Sequence, residues 1–486
     1  MKKKDFSVPI EIRKYKPKGT MVKKISGGYY VYEYKNVKDE STGKWKIKMG
    51  KIIGTIKEGI GFIPNTDKNK LSDATVFEYG QYAMVIANTK ETLNKLKNTF
   101  NTEEAHLIYL IAVIHLVNSF VYLKSLKEYY DQSYLSIKYP KLKFGYNSIS
   151  TLIESLGRNQ KNVEKFQQEL IASSSGNIAI DGHVIKNCSK ENDLAAYGNK
   201  YSNLKDMQIN VLMAYDIDTN KPLTSKIYNG GMLDKTSVKE LLEGYEFNNT
   251  LFIVDRGFYS KENMEIFSKG GNRYIIPLAE NLVSYKKVVK DINFKERFVY
   301  QKGKNRAIIE YKEFKNDGNR IIVYRDINQN TIEKEDYFSK IGINDKFTEE
   351  NYQKLKEEFG LIVLQTNLAE NIDPKGVYLK YKERWKIETF FNYFKNKAGF
   401  ESLYQENYYK TQGLAFVMLI VGLLYEEVQK KLKKENNKSL SDCLLDMRKI
   451  KMIKRNDKLQ IANATETLLQ ELKKLGVDIS EETRNM

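Results

Sequence analysis

The spacing of apolar positions changes character several times along the chain. Residues 27–56 alternate apolar or aromatic side chains with polar ones around a glycine-containing turn at 39–43, which predicts a β-hairpin. Residues 89–170 carry apolar side chains at helical spacing, and residues 177–276 alternate short apolar runs with helical segments. This succession predicts a helical region followed by a mixed α/β region built on a sheet.

The mixed α/β pattern is interrupted once. Residues 282–355 are polar and strand-like with recurring aromatic positions, which predicts a β-rich insertion outside the mixed core. An apolar strand at 361–365 resumes the pattern, and an apolar-centred helix follows at 411–433. From residue 440 onward the charges alternate as on an exposed helix, so we predict a helical C-terminal region.

Charge narrows the class of partner. The 486 residues contain 80 Lys and Arg against 62 Asp and Glu, a net charge of +18. Residues 1–58 alone hold 16 basic and 6 acidic residues. Such a basic segment favours a polyanionic partner, and its lysines suit phosphate contact without base reading. In the predicted hairpin Lys44, Lys46 and Lys48 share one face, either to follow a DNA backbone or to protect an edge strand.

Several function classes are excluded by composition. The 2 Cys and 3 His are not at zinc-ligand spacing, so we expect neither a zinc site nor a disulfide scaffold. The apolar runs at 107–117 and 414–425 are too short to span a bilayer, and the N-terminus lacks a signal-peptide pattern. No glycine-rich nucleotide-binding motif occurs. We therefore expect a cytoplasmic protein with no membrane partner.

One predicted helix, residues 381–395, combines polar groups of different chemistry. At helical spacing Tyr381, Arg384, Glu388 and Lys395 share an arc of about 60°, beside an apolar arc of Ile and Phe positions. A carboxylate is thereby held between a guanidinium, an ammonium and a phenol. Either this is a metal ligand among phosphate-binding groups, or it is an ordinary salt-bridged helix face.

Two further carboxylates follow apolar strands. Asp181 ends the predicted strand 177–181, and Asp255 ends the strand 251–255. Active-site groups of α/β sheets gather at strand ends, and clustered carboxylates require a cation to stay ionised. Magnesium prefers such hard oxygen ligands, with Mn²⁺ as a possible substitute. With Glu388 these residues predict a two-metal site for phosphoryl transfer, although the chain offers other acids at strand ends.

The motifs resemble those of a known family. Ile-Asp-Gly at 180–182, Val-Asp-Arg-Gly-Phe at 254–258 and the Tyr-x2-Arg-x3-Glu-x6-Lys spacing from Tyr381 to Lys395 are similar to the signature blocks of bacterial insertion-sequence transposases of the DDE class. More narrowly, they resemble the group with a β-strand insertion before the glutamate. The resemblance covers about residues 175–430.

The resemblance implies a fold and an activity. It implies an RNase H-like catalytic core with a β-rich insertion, metal-dependent cleavage at the terminal inverted repeats, strand transfer into target DNA, and a homodimeric complex with double-stranded DNA. Asp181, Asp255 and Glu388 correspond to the Mg²⁺ ligands, and Tyr381, Arg384 and Lys395 to DNA contacts. Arg256, which follows the second aspartate, corresponds to a weaker DNA contact.

The sequence pattern and the resemblance together predict a multidomain α/β protein. Its catalytic core is flanked by mainly helical N- and C-terminal regions. The predicted regions are a basic N-terminal β-hairpin region (1–62), a helical DNA-binding region (63–174), the first part of the RNase H-like catalytic core (175–281), the β-rich insertion (282–355), the second part of the core with the glutamate helix (356–435) and a C-terminal helical region (436–486).

One departure concerns the second DNA strand. Some relatives cut it through a DNA hairpin and stack a flipped base on a tryptophan of the insertion, whereas the only tryptophans here are Trp45 and Trp385. Phe298 or Tyr300 offers an aromatic face instead. Two alternatives to a transposase stay open: an RNase H-like host nuclease, and a domesticated DNA-binding protein that retains the fold. Inverted repeats flanking the gene would distinguish a transposase from both.

Overall fold

The computed structural model divides the chain into two units. It describes residues 8–39, 42–65, 74–119, 121–189, 191–197, 207–232, 234–290, 292–303, 305–316, 318–396, 402–435, 438–455 and 458–479. The first unit comprises Met1–Phe77, Met452–Ala462 and Thr483–Met486, and the second comprises Glu78–Lys451 and Asn463–Glu482. Each unit is described by itself.

The first unit contains a four-stranded antiparallel sheet. It follows the short helix α1 (Ile10–Arg13). Its strands are β1 (Thr20–Ile25), β2 (Gly28–Lys38), β3 (Trp45–Lys57) and β4 (Gly61–Pro64), and each strand pairs with the next one in the chain. Val8, Ile12, Val22, Val31 and Ile56 form its small buried core. The predicted hairpin is confirmed as β2 and β3, although residues 40 and 41 of its turn lie outside the described part of the chain.

A second, three-stranded sheet corrects the prediction of a helical C-terminal region. Its strands, in the order β17-β16-β5, are β5 (Ala74–Glu78), β16 (Lys451–Arg455) and β17 (Lys458–Ala462). Alternating charge predicts a helix at this end of the chain; only residues 458–461 alternate polar and apolar side chains with the period of a strand, and residues 451–455 of β16 carry no such signal.

A helical region begins the second unit. It contains α2 (Gly80–Asn88), α3 (Lys90–Thr99), α4 (Thr102–Val117), α5 (Leu126–Asp131), α6 (Tyr134–Lys138), α7 (Tyr146–Arg158) and α8 (Gln160–Ala172). Helix α4 is apolar on every side and is buried from Leu107 to Leu116, as expected of a central core helix.

A large mixed sheet forms the centre of the second unit. Its strands run in the order β11-β12-β13-β14-β10-β9-β6-β7-β8, with β15 beside β6. The strands are β6 (Asn177–Asn187), β7 (Gln208–Asp216), β8 (Lys221–Asn229), β9 (Leu251–Val254), β10 (Arg273–Pro277), β11 (Glu296–Lys302), β12 (Asn305–Asn316), β13 (Asn319–Asp326), β14 (Leu361–Thr366) and β15 (Ser402–Leu403). Strands β6, β9 and β10 are parallel, and β7 and β8 form an antiparallel hairpin beside them. The predicted mixed α/β class is confirmed.

The predicted insertion is not a separate β module. Strand β13 pairs with β14, and β14 pairs with β10, so β11, β12 and β13 extend the central sheet itself. The same segment also contains helices α11 (Val283–Val289), α12 (Ile327–Lys340) and α13 (Glu349–Leu355), after α9 (Asp234–Glu243) and α10 (Lys261–Ser268). The prediction placed the segment outside the core because most of its positions are polar, but edge strands of a sheet are polar as well, and Ile321 to Tyr324 of β13 are buried.

The single helix predicted for residues 381–395 is two helices. Helix α14 (Pro374–Lys382) begins at Asp373, whose carboxylate accepts the Gly376 N–H, and α15 (Trp385–Asn396) follows after a tight turn. In that turn the Arg384 N–H donates to the Tyr381 carbonyl three residues back, at 3.1 Å. The polar arc is therefore divided between two helix axes.

The remaining helices are α16 (Tyr408–Glu435), α17 (Leu440–Met447) and α18 (Glu466–Lys474). Within the described residues α16 alone is long and apolar enough to cross a membrane by length and composition, but 83% of its apolar window is buried inside the protein. This is the burial expected of a core helix.

Candidate active site

Two aspartates lie side by side on neighbouring parallel strands. The pairing of β6 with β9 runs from Asn177 with Leu251 to Ile180 with Val254. Asp181 and Asp255 are the next residues on the two strands, so both carboxylates start from the same edge of the sheet. The prediction that a strand ends at Asp181 is wrong, because β6 continues to Asn187 along β7. Only its pairing with β9 ends there.

The turn between α14 and α15 brings Arg384 to these acids. Its Nη1 lies 3.8 Å from Asp181 Oδ2, and its Nη2 lies 2.5 Å from Glu388 Oε1, one turn into α15. The Arg384 side chain is only 15% exposed, and its buried Nε has no acceptor among the described residues. One guanidinium thus connects the first aspartate to the glutamate.

The electrostatics of the site centre on the same guanidinium. Burial by itself lowers the pKa of Arg384, but the Tyr381 phenol and the carboxyls of Asp255, Asp181 and Glu388 together raise it above its ordinary value. Burial also raises the pKa of Tyr381. The three predicted acids therefore interact with one positive charge.

The carboxyl of Asp181 has a raised pKa. Burial raises its pKa to about 6, against the opposing effects of Arg384 and the Gly182 N–H, while Asp255 and Glu388 raise it further. Clustered carboxyls of this kind require additional positive charge to ionise fully at neutral pH.

A fourth acid, Asp234, was missed by the sequence reasoning. It begins α9, and its carboxylate occupies the space beside the glycines that follow both aspartates. A Cβ on Gly257 would lie 3.0 Å from Asp234 Oδ2, and one on Gly182 would lie 3.7 Å from Oδ1. The available signal was the glycine within two residues of each aspartate, which marks a close approach of another group.

The other predicted DNA contacts lie in several places. Arg256 is exposed and faces Glu280, with 3.7 Å between Nη1 and Oε1. Lys395 is half-buried in the last turn of α15. The lysines at 44, 46 and 48 are exposed on the first unit, where Lys46 forms an ion pair with Asp39.

The aromatic residues suggested for base stacking have a packing role in this structure. Phe298 and Tyr300 each meet the ring of Tyr378 edge-on, with 5.4 Å between ring centres. Tyr324 packs on the same ring at 5.1 Å. Strands β11 and β13 thereby support α14, the helix that carries Tyr381.

The residues fit a divalent cation by their chemistry. Three carboxylates supply the hard oxygen ligands that Mg²⁺ prefers. Within the described residues, however, no three Asp, Glu, His or Cys side chains are gathered closely enough to hold an ion. Arg384 supplies positive charge between the acids, so its side chain and a cation would compete for them.

Comparison with known proteins identifies the family. Residues 173–424 match the model of the transposase DDE domain, which is more than half of the chain. The chain belongs to the DDE transposase family. The matched segment contains Asp181, Asp255 and Glu388, and membership in this family makes the protein a DNA transposase.

Other comparisons add little to the family match. No curated protein matches the chain. Among solved structures, the piggyBac transposase synaptic complex with hairpin DNA is similar over 82% of both chains, with 11% sequence identity and a TM-score of 0.42.

Proposed function

We propose that this transposase acts in the bacterial cytoplasm as a homodimer on an insertion sequence, where it cuts at the terminal inverted repeats and joins the freed ends to target DNA. The catalytic core would be RNase H-like, with Asp181, Asp255 and Glu388 as ligands for Mg²⁺ or Mn²⁺. The observation that carries the proposal is the register of β6 and β9, which aligns the two aspartates, together with the Arg384 contacts that link Asp181 to Glu388.

The proposed reaction is two successive phosphoryl transfers. In the first, a water oxygen bonds to phosphorus as the P–O3′ bond breaks, which leaves a 3′-hydroxyl on the element and a 5′-phosphate, with the proton passing to solvent. In the second, the oxygen of that 3′-hydroxyl bonds to a target phosphorus as the target's P–O3′ bond breaks, and the released target 3′-oxygen gains a proton in place of the one that the attacking hydroxyl loses. A bound divalent ion would supply an activated oxygen nucleophile and offset phosphate charge.

Arg384 has two successive partners in this proposal. In the free protein it neutralises the acids, and on the DNA complex its guanidinium moves to a phosphate near the cut. Its buried Nε, which has no acceptor among the described residues, supports an additional partner for this side chain. Release of the acids from Arg384 then permits them to bind the cation, so the site assembles on DNA.

The proposal is tested by nicking of a duplex that carries the element's inverted repeat. Wild-type protein should nick at the repeat with Mg²⁺ and not with EDTA. Asp181→Asn and Asp255→Asn should each lower the rate by roughly 10² or more, because each removes a charged ligand from the reacting centre. Asp193→Asn, at an exposed acid elsewhere in the second unit, is the matched control. Equal rates for all four proteins would refute the assignment.

A further inference from the structure

Strands β2 and β3 extend beyond their neighbours in the first unit. Strand β1 pairs with β2 no further than Glu33, and β4 pairs with β3 only from Gly54. Residues 34–38 and 45–49 pair with each other alone in the described part of the sheet, and we call them the β arm. The register shifts near Tyr32 mark a bulge at its base, which bends a strand out of its sheet.

One face of the β arm concentrates positive charge. Lys35 lies directly opposite Lys48, and Val37 lies opposite Lys46. Lys44 immediately precedes β3 and is also exposed. Like charges directly opposite each other destabilise a strand pair. Lys46 pairs with Asp39, but Lys35 and Lys48 have no acidic partner among the described residues.

The other face of the β arm carries two exposed apolar side chains opposite polar ones. Trp45 lies opposite Lys38, and Ile47 lies opposite Asn36. The side chains of Trp45 and Ile47 are 71% and 54% exposed. A two-stranded ribbon is marginally stable in water by itself, and this one gains little burial from its own side chains. Within the described residues, neither face gains enough burial or charge pairing to offset this marginal stability.

We propose that the β arm enters the major groove of duplex DNA. The lysine face would follow one phosphate backbone, and Trp45 and Ile47 would lie against sugars and base edges on the opposite wall. A ribbon with side chains on both faces is about 10 Å thick, and the major groove is about 12 Å wide. Duplex DNA is the proposed partner because unpaired lysines complement its phosphate charge and a planar aromatic ring suits contact with a nucleic acid. This inference rests on the proposed function for the identity of the duplex, an element end.

Tryptophan fluorescence tests the position of the arm directly. The chain has only Trp45 and Trp385, so full-length Trp385→Phe reports Trp45 alone. Binding of the inverted-repeat duplex should shift the Trp45 emission and lower its quenching by acrylamide at least about twofold, as expected of a ring that becomes buried. Unchanged quenching with the duplex fully bound, as shown by anisotropy of labelled DNA, would overturn the proposal.

Affinity measurements separate the two faces. The triple change Lys35→Ala, Lys44→Ala and Lys48→Ala should lower the slope of log affinity against log salt by about 2 to 3. Lys23→Ala, Lys51→Ala and Lys57→Ala, at exposed lysines of the same sheet, should leave it unchanged. Trp45→Ala should weaken binding about tenfold at a constant slope. Ile60→Ala, at a side chain that is also 71% exposed, should not.

The outcomes separate this inference from the proposed function. If the lysine triple change and Trp45→Ala both bind like wild type while the duplex is still nicked at the repeat, the β arm proposal is wrong and the transposase assignment stands. If wild-type protein neither binds nor nicks the inverted repeat, the proposed function itself is wrong. Circular dichroism of each exposed-residue variant verifies that its fold is retained.

Discussion

Arg384 and Glu388 are joined by a hydrogen bond of 2.5 Å between Nη2 and Oε1, and the same guanidinium faces Asp181. A carboxylate engaged by an arginine is a poorer ligand for a divalent cation, because the two positive charges compete for the same oxygens. The proposed mechanism therefore requires the free protein to bind its cation weakly until Arg384 moves to another anion.

Arg384→Ala should separate cation binding from DNA binding. We expect Mn²⁺ to bind the DNA-free variant about tenfold more tightly than wild type, since removal of a competing charge worth about 1.4 kcal/mol changes affinity by this factor. Binding of the element end should weaken. Electron paramagnetic resonance of free Mn²⁺ measures the first effect, and Arg297→Ala, at an exposed arginine of β11, is the control. Equal Mn²⁺ affinities of wild type and Arg384→Ala would exclude the competition.

The glycines after the aspartates should differ in their tolerance of alanine. Gly257→Ala would bring a Cβ within 3.0 Å of the Asp234 carboxylate, whereas Gly182→Ala meets it at an ordinary 3.7 Å. We expect Gly257→Ala to destabilise the second unit by about 1–3 kcal/mol and to slow nicking, because the segment that carries Asp255 must shift. Gly182→Ala should cost less than about 1 kcal/mol. Urea midpoints and nicking rates of the two variants provide the measurement. A larger effect of Gly182→Ala than of Gly257→Ala would show that the Asp234 side chain moves away without cost.

Two half-buried, adjacent glutamates on α16 should make stability depend on pH. The Tyr215 hydroxyl donates to Glu426 at 3.2 Å, and the Thr92 hydroxyl donates to Glu427 at 2.5 Å. Burial raises the pKa of each carboxyl to about 7. Because these folded-state values exceed the ordinary 4.5, the unfolded chain loses the protons first, and stability falls as pH rises from about 4.5 to about 7.

Glu427→Gln tests this pH dependence. The amide keeps an acceptor for Thr92 but cannot ionise, so the free energy of unfolding should rise by about 1–3 kcal/mol at pH 8 and change little at pH 4.5. Glu435→Gln is the control on the same helix, because its pair with Lys431 lowers the pKa of Glu435 and ionisation there does not oppose folding. Urea unfolding at the two pH values measures both, and a gain for Glu427→Gln that is equal at both would contradict the assignment.

The sequence predicted the elements of the site better than their arrangement. That Asp181 and Asp255 lie on neighbouring strands could be expected because each follows apolar strand residues, and the hairpin of β2 and β3 could be predicted because its period is two. The break at Arg384 was not predicted, since the spacing from Tyr381 to Lys395 fits one continuous helix equally well. Only the tertiary fold determines that the acids face a guanidinium in the free protein.

The extent of the central sheet could not be predicted for a similar reason. Strand pairing joins residues far apart in the chain, and β13 pairs with β14 across the 34 positions between Asp326 and Leu361, which include two helices. Local composition distinguishes a polar strand from an apolar one, but it does not show whether the strand ends a core sheet or belongs to a separate domain. Asp234 was missed because its neighbours at Gly182 and Gly257 lie on other elements.

The central claim is that Glu388 completes a catalytic site with the two aspartates. Glu388→Gln keeps the shape and helix propensity of the side chain but removes its charge. Binding of the inverted-repeat duplex should be retained, because one charge that repels phosphate is gone.

The decisive measurement is the Mg²⁺-dependent nicking rate of this variant on the inverted-repeat duplex. It should fall by roughly 10² or more, since removal of a charged group from the reacting centre costs a few kcal/mol of transition-state stabilisation. Glu350→Gln, at a glutamate that is 81% exposed on α13, should nick like wild type. If Glu388→Gln binds the duplex and nicks it at the wild-type rate, Glu388 is not the third acid and the account of the site is wrong.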